Sequence, residues 1–393
     1  YVIRPEKLEN KPEALIILIL ILVLMITLLG LNAFQLALQS SPDPWMPVSQ
    51  PIANGIKRAR ISATDMELYS DVFLSIHTFV LMFFISYIPY TKHLHMVASL
   101  PNIFFRSLKP RGALPSVKLE NMDFEGGATL GVSRIDSFMW KHILDLYACT
   151  ECGRCQDHCP AYLTQKPLSP KKLILNLKHN LLHNAPLLLK QGDKDLQPLI
   201  GGAITGEEIW SCTTCASCLE QCPVFIEHPG KIIDMRRYLV LVEGAIQDEV
   251  ANTFSNMELS NNPYGSPSTR RSDWAKPLAV KELDERHPAQ FLLFVGCAGA
   301  YDSRVKEAVV SFVNLLKKAD IDFAILGNRE SCCGETARRL GNEYLFQTLA
   351  KQNVEKFGRY GVHRIVTICP HCFNTLKNEY PQFGGKFEVL HHS

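Results

Sequence analysis

Apolar residues fall along this chain in three patterns. The first is a long uninterrupted run. Ala14 to Leu38 carries no charged side chain and is mostly Leu, Ile and Val. A helix needs about 20 apolar residues to cross the hydrocarbon core of a bilayer, so this run is long enough. The apolar core of a signal peptide is shorter and is followed by small residues at a cleavage site, which are missing here. A second uncharged run goes from Val72 to Thr91 and closes on Lys92, with Tyr87 and Tyr90 suited to an interfacial belt. Between the runs, residues 41–56 are rich in Pro and Ser and read as a loop. The pattern predicts a membrane part over residues 1–100, with transmembrane helices at about 14–38 and 72–91.

The second pattern is helical. Residues 168–190 repeat Leu at helical spacing, and Ser169-Pro170 is a plausible start. This predicts a small helical domain over 141–240. The third pattern alternates strands with helices. Phe291–Val295, Asp322–Leu326 and Arg364–Ile368 read as strands. Ser303–Ala319 and Glu335–Lys356 read as helices, and Pro370 opens another. Alternation of this kind predicts an α/β domain with a parallel sheet over 289–393. Residues 101–140 and 241–288 read as linkers. The Asn, Pro, Gly and Ser of Asn252–Asp284 point to an extended surface crossing. The chain starts at Tyr1 and stops after Ser393 without an ending motif, so segments beyond both ends are expected, and the last domain is expected to be incomplete.

Charge narrows the function. With 41 Lys and Arg against 39 Asp and Glu, the net charge of +2 gives no footprint for nucleic acid. Two spans place the segment before the first and everything after the second on one side. Arg4, Lys7, Lys11, Lys92, Arg106, Lys109 and Arg111 lie on that side, and the positive-inside rule makes it cytoplasmic. Lys57, Arg58 and Arg60 in the outer loop count against this.

Thirteen cysteines are too few for a small disulfide scaffold in a chain of 393 residues. Their spacing is that of metal sites, which implies a reducing compartment. Cys149-x2-Cys152-x2-Cys155-x3-Cys159-Pro160 is repeated as Cys212-x2-Cys215-x2-Cys218-x3-Cys222-Pro223. This is the ferredoxin pattern, in which three cysteines wrap one cubane and the fourth reaches the neighbouring one. The expected sets for two [4Fe-4S] clusters are Cys149, Cys152, Cys155 with Cys222, and Cys212, Cys215, Cys218 with Cys159. Zinc also takes C-x2-C pairs, but it gives no reason for a duplicated eight-cysteine run that ends twice in Pro.

The other five cysteines are Cys297, Cys332-Cys333-Gly334 and Cys369-x2-Cys372. Each group follows the carboxyl end of a predicted strand. In a parallel sheet those ends share one edge, where ligands bind. Five thiolates exceed the needs of one cubane or one zinc and favour an unusual iron–sulfur site. A zinc site on four of them, or a dithiol redox pair at Cys332-Cys333, is the simpler reading. His371, between Cys369 and Cys372, is a candidate for supporting that site. Glu335, Arg338 and Arg339 follow the Cys-Cys-Gly motif and read as a solvated helix face, with support of the cluster as the alternative. Gly296-Cys297-Ala298-Gly299 is not a dinucleotide fingerprint, so any flavin or nicotinamide belongs to a partner.

His77 lies in the second apolar run and His95 just beyond it. On one continuous helix a separation of 18 residues returns to the same face after a rise of ~27 Å. That would suit axial ligation of up to two stacked b-type haems. His93 points elsewhere, and Pro89 introduces a kink. The plain alternative is a hydrogen-bonded His77 and an interfacial His95.

The Cys297, Cys332-Cys333-Gly334 and Cys369-x2-Cys372 set resembles the Cys-Cys-Gly domain of the heterodisulfide reductase catalytic family, which holds a non-cubane [4Fe-4S] cluster. The His77/His95 segment resembles the cytochrome b subunit of respiratory nitrate reductase. All three parts together resemble the bacterial membrane iron–sulfur electron-transfer-flavoprotein:quinone oxidoreductases. That resemblance is carried by LDLYACTECGRCQDHCPA, PLSPKKLIL, EIWSCTTCASCLEQCPVFIEH, RRLGNEYLFQTLAKQN and CPHCFNTLKNEYPQFGG. It implies a multidomain fold of transmembrane α-helices, a helical two-[4Fe-4S] ferredoxin-type domain and an α/β Cys-Cys-Gly domain. It also implies further upstream helices and a second Cys-Cys-Gly repeat. The implied function is to take electrons from reduced electron-transfer flavoprotein or another flavin donor. They would pass through clusters and haem b to a membrane quinone, as menaquinone, among membrane lipids. The rival expectations are a heterodisulfide-reductase-like disulfide reductase and a non-catalytic relay subunit of a larger respiratory complex.

Overall fold

Two long apolar helices open the chain in the computed structural model, which describes residues 12–39, 43–115, 117, 119, 130–190, 196–285 and 289–393. Arg4, Lys7 and Lys11, which enter the orientation argument, lie outside the described residues. The chain divides into two compact units. One is Tyr1–Phe104 with Tyr147–Gly153, and the other is Phe105–Leu146 with Arg154–Ser393.

In the first unit, α1 (Pro12–Leu38) and α3 (Ala63–Tyr87) pack side by side, with α2 (Ser49–Arg58) against α1. Both long helices are long and apolar enough to cross a membrane. Gly30 lets them approach, since a Cβ there would lie 2.6 Å from the Phe73 ring. Phe34 stacks on Phe73 at 5.8 Å. The outward surface stays apolar, with Leu18, Leu22 and Ile26 of α1 and Phe79 and Met82 of α3 exposed.

Several expectations are corrected here. The Pro- and Ser-rich loop contains α2, whose Ala53 packs on Leu36 and Ala37. The second long helix starts at Ala63 rather than 72, because the Ser62 hydroxyl caps it by accepting the Asp65 N–H at 3.1 Å. It ends at Tyr87. Pro89 has no N–H to continue the ladder, and Ile88–Tyr90 tightens into a 3-10 turn. A separate helix, α4 (Leu94–Phe104), follows and extends into the stretch read as a linker. His77 and His95 therefore sit on different helices. The one-face argument for them fails, because it required an unbroken helix.

In the second unit, α5 (Trp140–Ala148, its last residues in the first unit) precedes the first ferredoxin motif. Between the motifs runs α6 (Pro170–Leu189), capped by Ser169, with Leu173, Ile174 and Leu177 buried. Asn180 and Asn184 of α6 bind the Gln197 carbonyl at 3.1 and 3.0 Å and so fix the loop leading to the second motif. After that motif comes α7 (His228–Tyr238).

The segment read as an extended linker is instead folded. It contains α8 (Asp248–Ser260), whose Phe254 and Met257 are buried against one face of the sheet, and Trp274, buried on the other. The sheet consists of β1 (Phe291–Phe294), β2 (Phe323–Ala324), β3 (Arg364–Thr367) and β4 (Glu388–His391), in the order β2-β1-β3-β4 and all parallel. Both faces are covered. Leu292 and Phe294 join one core, while Leu293 and Val295 join the other. That is why β1 reads as a continuous apolar run rather than an alternating one.

Between the strands lie α9 (Gly296–Tyr301), α10 (Ser303–Lys318), α11 (Glu335–Arg339) and α12 (Glu343–Arg359); α13 (Pro370–Asn374) follows β3. The single helix expected over Glu335–Lys356 is two helices, broken where Gly341 turns at φ +96°. Nor is Arg338 solvated. It is 0% exposed and pairs with Glu379 at 3.0 Å. Arg339 and Glu335 are also largely covered. A buried ion network replaces the expected surface face, and breaking one member would cost about 3–5 kcal/mol.

Candidate metal centre

The three parallel strands β1, β2 and β3 end at one edge, and the chain delivers a cysteine group beyond each end. Cys297 comes three residues after Phe294, and Cys369 two after Thr367. Cys332 and Cys333 arrive by way of the 3-10 turn Gly327–Arg329. The five sulfurs form one string of contacts. Cys297 interacts with Cys332, Cys332 with Cys333, and Cys372 with both Cys333 and Cys369. The Cys372–Cys333 separation is 3.5 Å.

Two glycines make room for this. Gly296 turns at φ +74°, and a Cβ on it would meet the Cys372 sulfur at 3.1 Å. Gly334 turns at φ +84°, and a Cβ there would lie 2.9 Å from the Phe346 ring. This is the physical content of the third letter in Cys-Cys-Gly. The backbone of the pair is pinned as well. Asn353 Nδ2 donates to the Cys332 carbonyl at 2.9 Å, Tyr380 Oη to the Cys333 carbonyl at 3.0 Å, and the Cys332 N–H to the Asn261 carbonyl at 2.9 Å.

A buried cation completes the site. The Arg271 guanidinium lies 3.6 and 3.7 Å from the Cys297 sulfur. Glu330 holds it at 2.7 Å and also accepts the Val295 and Gly296 N–H groups at 3.1 and 2.9 Å. The thiols share charge along the string. Bonds from Cys332 and Cys372 draw the Cys333 thiol down from its ordinary value. The bond from Cys372 draws Cys369 down to about 6. The bond with Cys332 and burial push Cys297 up, and the bonds with Cys333 and Cys369 push Cys372 up.

All the donors are sulfur, which selects soft metals and iron–sulfur clusters. Zinc needs four ligands about 2.3 Å from one centre. Among the described residues no three His, Cys, Asp or Glu side chains are arranged to hold a single metal ion. The five sulfurs are strung in sequence instead, an arrangement that fits a polynuclear group.

The second ferredoxin motif forms its own site. Cys159, Cys212, Cys215 and Cys218 line one small cavity walled by Leu168, Pro170, Ala216 and Ile232. These four are the set expected from the spacing. The loop needs left-handed backbone on both sides of its middle cysteine, at Thr214 (φ +53°) and Ala216 (φ +59°). The first motif repeats this at Glu151 (φ +56°) and Gly153 (φ +80°). Thr214 N–H donates to the Cys212 sulfur at 3.3 Å, and Ile226 N–H to the Cys222 sulfur at 3.4 Å. Cys155 belongs to this unit, whereas Cys149 and Cys152 belong to the other. Arg236 of α7 donates to the Cys212 carbonyl at 2.6 Å and to the Arg339 carbonyl at 2.8 Å, linking the two cysteine regions.

Of the remaining candidates, His371 is largely exposed and lies 3.9 Å from Glu335, off the sulfur string. His77 Nδ1 bonds the Thr27 hydroxyl of α1 at 2.9 Å, and His95 Nδ1 lies 2.6 Å from the Lys92 carbonyl. Sequence reasoning missed Arg271, Asn353, Tyr380 and Arg236. Only Glu330 carried a signal, as a carboxylate two residues before the Cys332-Cys333 pair.

Residues 145–226 match the family of 4Fe-4S dicluster domains, and residues 291–377 match the CCG cysteine-rich domain family. The chain is thus an iron–sulfur protein in which apolar N-terminal helices precede a 4Fe-4S dicluster domain and an α/β Cys-Cys-Gly domain. It is similar to the "EtfAB:quinone oxidoreductase" of Syntrophomonas wolfei, at 40% identity over 85% of this chain and 50% of that protein. It is also similar to the "Probable iron-sulfur-binding oxidoreductase FadF" of Bacillus subtilis, at 38% over 100% of this chain and 61% of that one. A "Probable membrane-anchored ferredoxin" of Chromohalobacter salexigens is 37% identical over 71% of this chain and 44% of its own length. The chain spans about half the length of these relatives. No solved structure matches it.

Proposed function

We propose that this chain is the iron–sulfur core of a membrane-anchored electron-transfer-flavoprotein:quinone oxidoreductase. It takes electrons from a reduced flavoprotein and delivers them to a membrane quinone, menaquinone being the expected one. Iron–sulfur clusters supply one-electron carriage. Cys212, Cys215, Cys218 and Cys159 hold one [4Fe-4S] cluster. Cys149, Cys152, Cys155 and Cys222 hold the other. Cys297, Cys332, Cys333, Cys369 and Cys372 hold a non-cubane cluster. The observation that carries the reading is the string of five sulfurs in the same folded unit as the cysteine-lined cavity, bridged by Arg236. Four of the five string cysteines are buried. A disulfide substrate would need access to them, so burial favours electron carriage over the disulfide-reductase alternative.

The two apolar helices and the cations that follow them support a cell-membrane location with the cluster domains on the cytoplasmic side. A b-type haem belongs to the same proposal. His77 would hold it through Nε2, because its Nδ1 is tied to Thr27, and such a second bond fixes a ligating ring. His95 is the second candidate, on its own helix. A reduced-minus-oxidised spectrum without b-type bands removes the haem and leaves the cluster assignments standing. The whole function is tested by adding reduced electron-transfer flavoprotein and a short-chain menaquinone to the purified protein. Quinol formation is expected, and an absence of turnover overturns the reading.

A further inference from the structure

A second cavity, of about 350 Å³, shares Pro229 with the cavity lined by Cys159, Cys212, Cys215 and Cys218. Its walls come from two segments, residues 106–115 and 219–230. Leu219, the neighbour of Cys218 in sequence, lines it, which places the cavity next to the second ferredoxin motif. The size falls within the range of small-molecule sites, roughly 300–1,000 Å³.

The lining is unusual for a structural gap. Arg106 lies over the Phe225 ring at 4.2 Å. Phe225 itself has φ +56°, a left-handed conformation that bulky residues seldom adopt. The turn is held by Phe225 N–H donating to the Cys222 carbonyl at 3.2 Å. Strain of this kind persists at sites where a side chain has to be presented. Lys109 and Arg111 add positive charge to the wall, with Arg111 paired to Glu220. Glu227 faces the same space, accepts the Ser107 N–H at 3.1 Å and lies 3.9 Å from Lys141. By chain continuity Arg106 is two residues past the end of α4, an apolar helix.

We propose that this cavity binds the head ring of the quinone. The inference rests on the quinone reading above and gives it a site. A planar ring suits the apolar wall of Leu108, Leu219, Phe225 and Pro229, and its carbonyl oxygens suit Arg106 and Lys109, which would stabilise the negative charge that builds on them. The balanced step is quinone plus two electrons plus two protons to quinol. A cluster held by Cys159, Cys212, Cys215 and Cys218 would supply the two electrons one at a time, with the flavoprotein as their ultimate source. The protons come from solvent.

Two binding measurements on the whole protein in detergent test this without any flavoprotein. An azido-naphthoquinone is photocrosslinked and its peptides are mapped, and the affinity for 2,3-dimethyl-1,4-naphthoquinone is compared among variants. Phe225→Gly is the chosen variant, because glycine relaxes the left-handed backbone and an unchanged melting temperature and iron content show that the fold is kept. The label is expected within residues 105–115 or 219–230, and Phe225→Gly and Arg106→Gln are each expected to weaken binding at least tenfold. Labelling elsewhere, or affinities within twofold of the parent, overturns the site. So does protection of the cavity by phosphatidylglycerol vesicles but not by the naphthoquinone, which would mark it as a lipid headgroup site. Flavoprotein-driven quinol formation that is unchanged in both variants would refute this site and leave the proposed function intact.

Discussion

The guanidinium of Arg271 lies 3.6 Å from the sulfur of Cys297, buried and held in place by Glu330. A cation donating to a thiolate ligand favours the more negative, reduced state of the group it ligates, and hydrogen bonds to sulfur set iron–sulfur potentials. Arg271→Lys keeps a charge for Glu330 and loses the fork that reaches the sulfur. The reduction potential of the Cys-Cys-Gly cluster is expected to move to more negative values, read by redox titration with electron paramagnetic resonance. The signals of the two ferredoxin-type clusters should keep their midpoints. A variant with an unmoved midpoint would show that Arg271 serves only to neutralise Glu330.

Stripping the iron exposes a second consequence of the sulfur string. Cys369 is the one member that is not buried, and its thiol is drawn down to about 6. Thiolate is the reactive form, so a lowered value on an accessible sulfur sets the order of modification. In the iron-free protein at pH 7, iodoacetamide is expected to label Cys369 ahead of Cys297, Cys332 and Cys372. Its rate should rise with pH through about 6. Peptide mass spectrometry over a time course reads the order, and uniform labelling of the five would contradict it.

Acid should weaken the dicluster domain in two steps. Burial, helped by Lys231, lowers His228 from 6.5 to about 4, and burial lowers His142 in the same direction. Both are neutral in the fold, while the unfolded chain takes up protons below about 6.5. Stability is therefore complete above that value and falls as pH drops toward 4, by about 3 kcal/mol for His228. Asp145 behaves differently. Burial raises it, but Lys231 and Lys141 outweigh burial and bring it to about 2. Its contribution is intact above about 4 and is lost only as pH falls further toward 2. Urea unfolding between pH 7.5 and 5 should show the first step, and His228→Gln should flatten it. A flat profile in the parent protein would show that His228 titrates normally.

The parts of this molecule that were legible in the sequence are those whose cause is local. Cys212, Cys215 and Cys218 could be grouped because a tight turn fixes which sulfurs face together, and Cys159 lines the same cavity from the other copy of the repeated motif. The sheet edge could be read because an apolar run such as Phe291–Phe294 ends just before its cysteine. Arg271 could not be read, since 26 residues separate it from Cys297 and nothing near it is patterned. The helix Asp248–Ser260 was hidden by its Asn and Ser content, although Phe254 and Met257 carry it into the core. Local composition says little where burial is decided by the partner surface. The same limit explains Arg338, a charged residue placed in the core by Glu379 and Glu343 on other elements.

Arg236 provides the most direct test of whether the two cysteine regions act as one unit. Its side chain is buried, and it donates to the carbonyls of Ile209, Cys212 and Arg339 at 2.8, 2.6 and 2.8 Å. The approach is possible because Gly341 has no side chain. A Cβ there would lie 2.6 Å from the Arg236 backbone carbon, and φ is +96°, which only glycine adopts easily. Arg236→Met leaves several buried carbonyls without a donor, each costing about 1–3 kcal/mol. A loss of about 3 kcal/mol is expected, seen as a lower urea midpoint. Gly341→Ala should have a similar effect by a different route, pushing α11 away from α7 while keeping the guanidinium. If the strap also sets the path between cluster sites, both variants should slow electron passage from the Cys-Cys-Gly cluster to the ferredoxin-type clusters in rapid-freeze experiments. Destabilisation without slowing would make Arg236 a structural tie only. Slowing in Arg236→Met but not in Gly341→Ala would place the effect on the hydrogen bond to Cys212 rather than on the spacing of the domains.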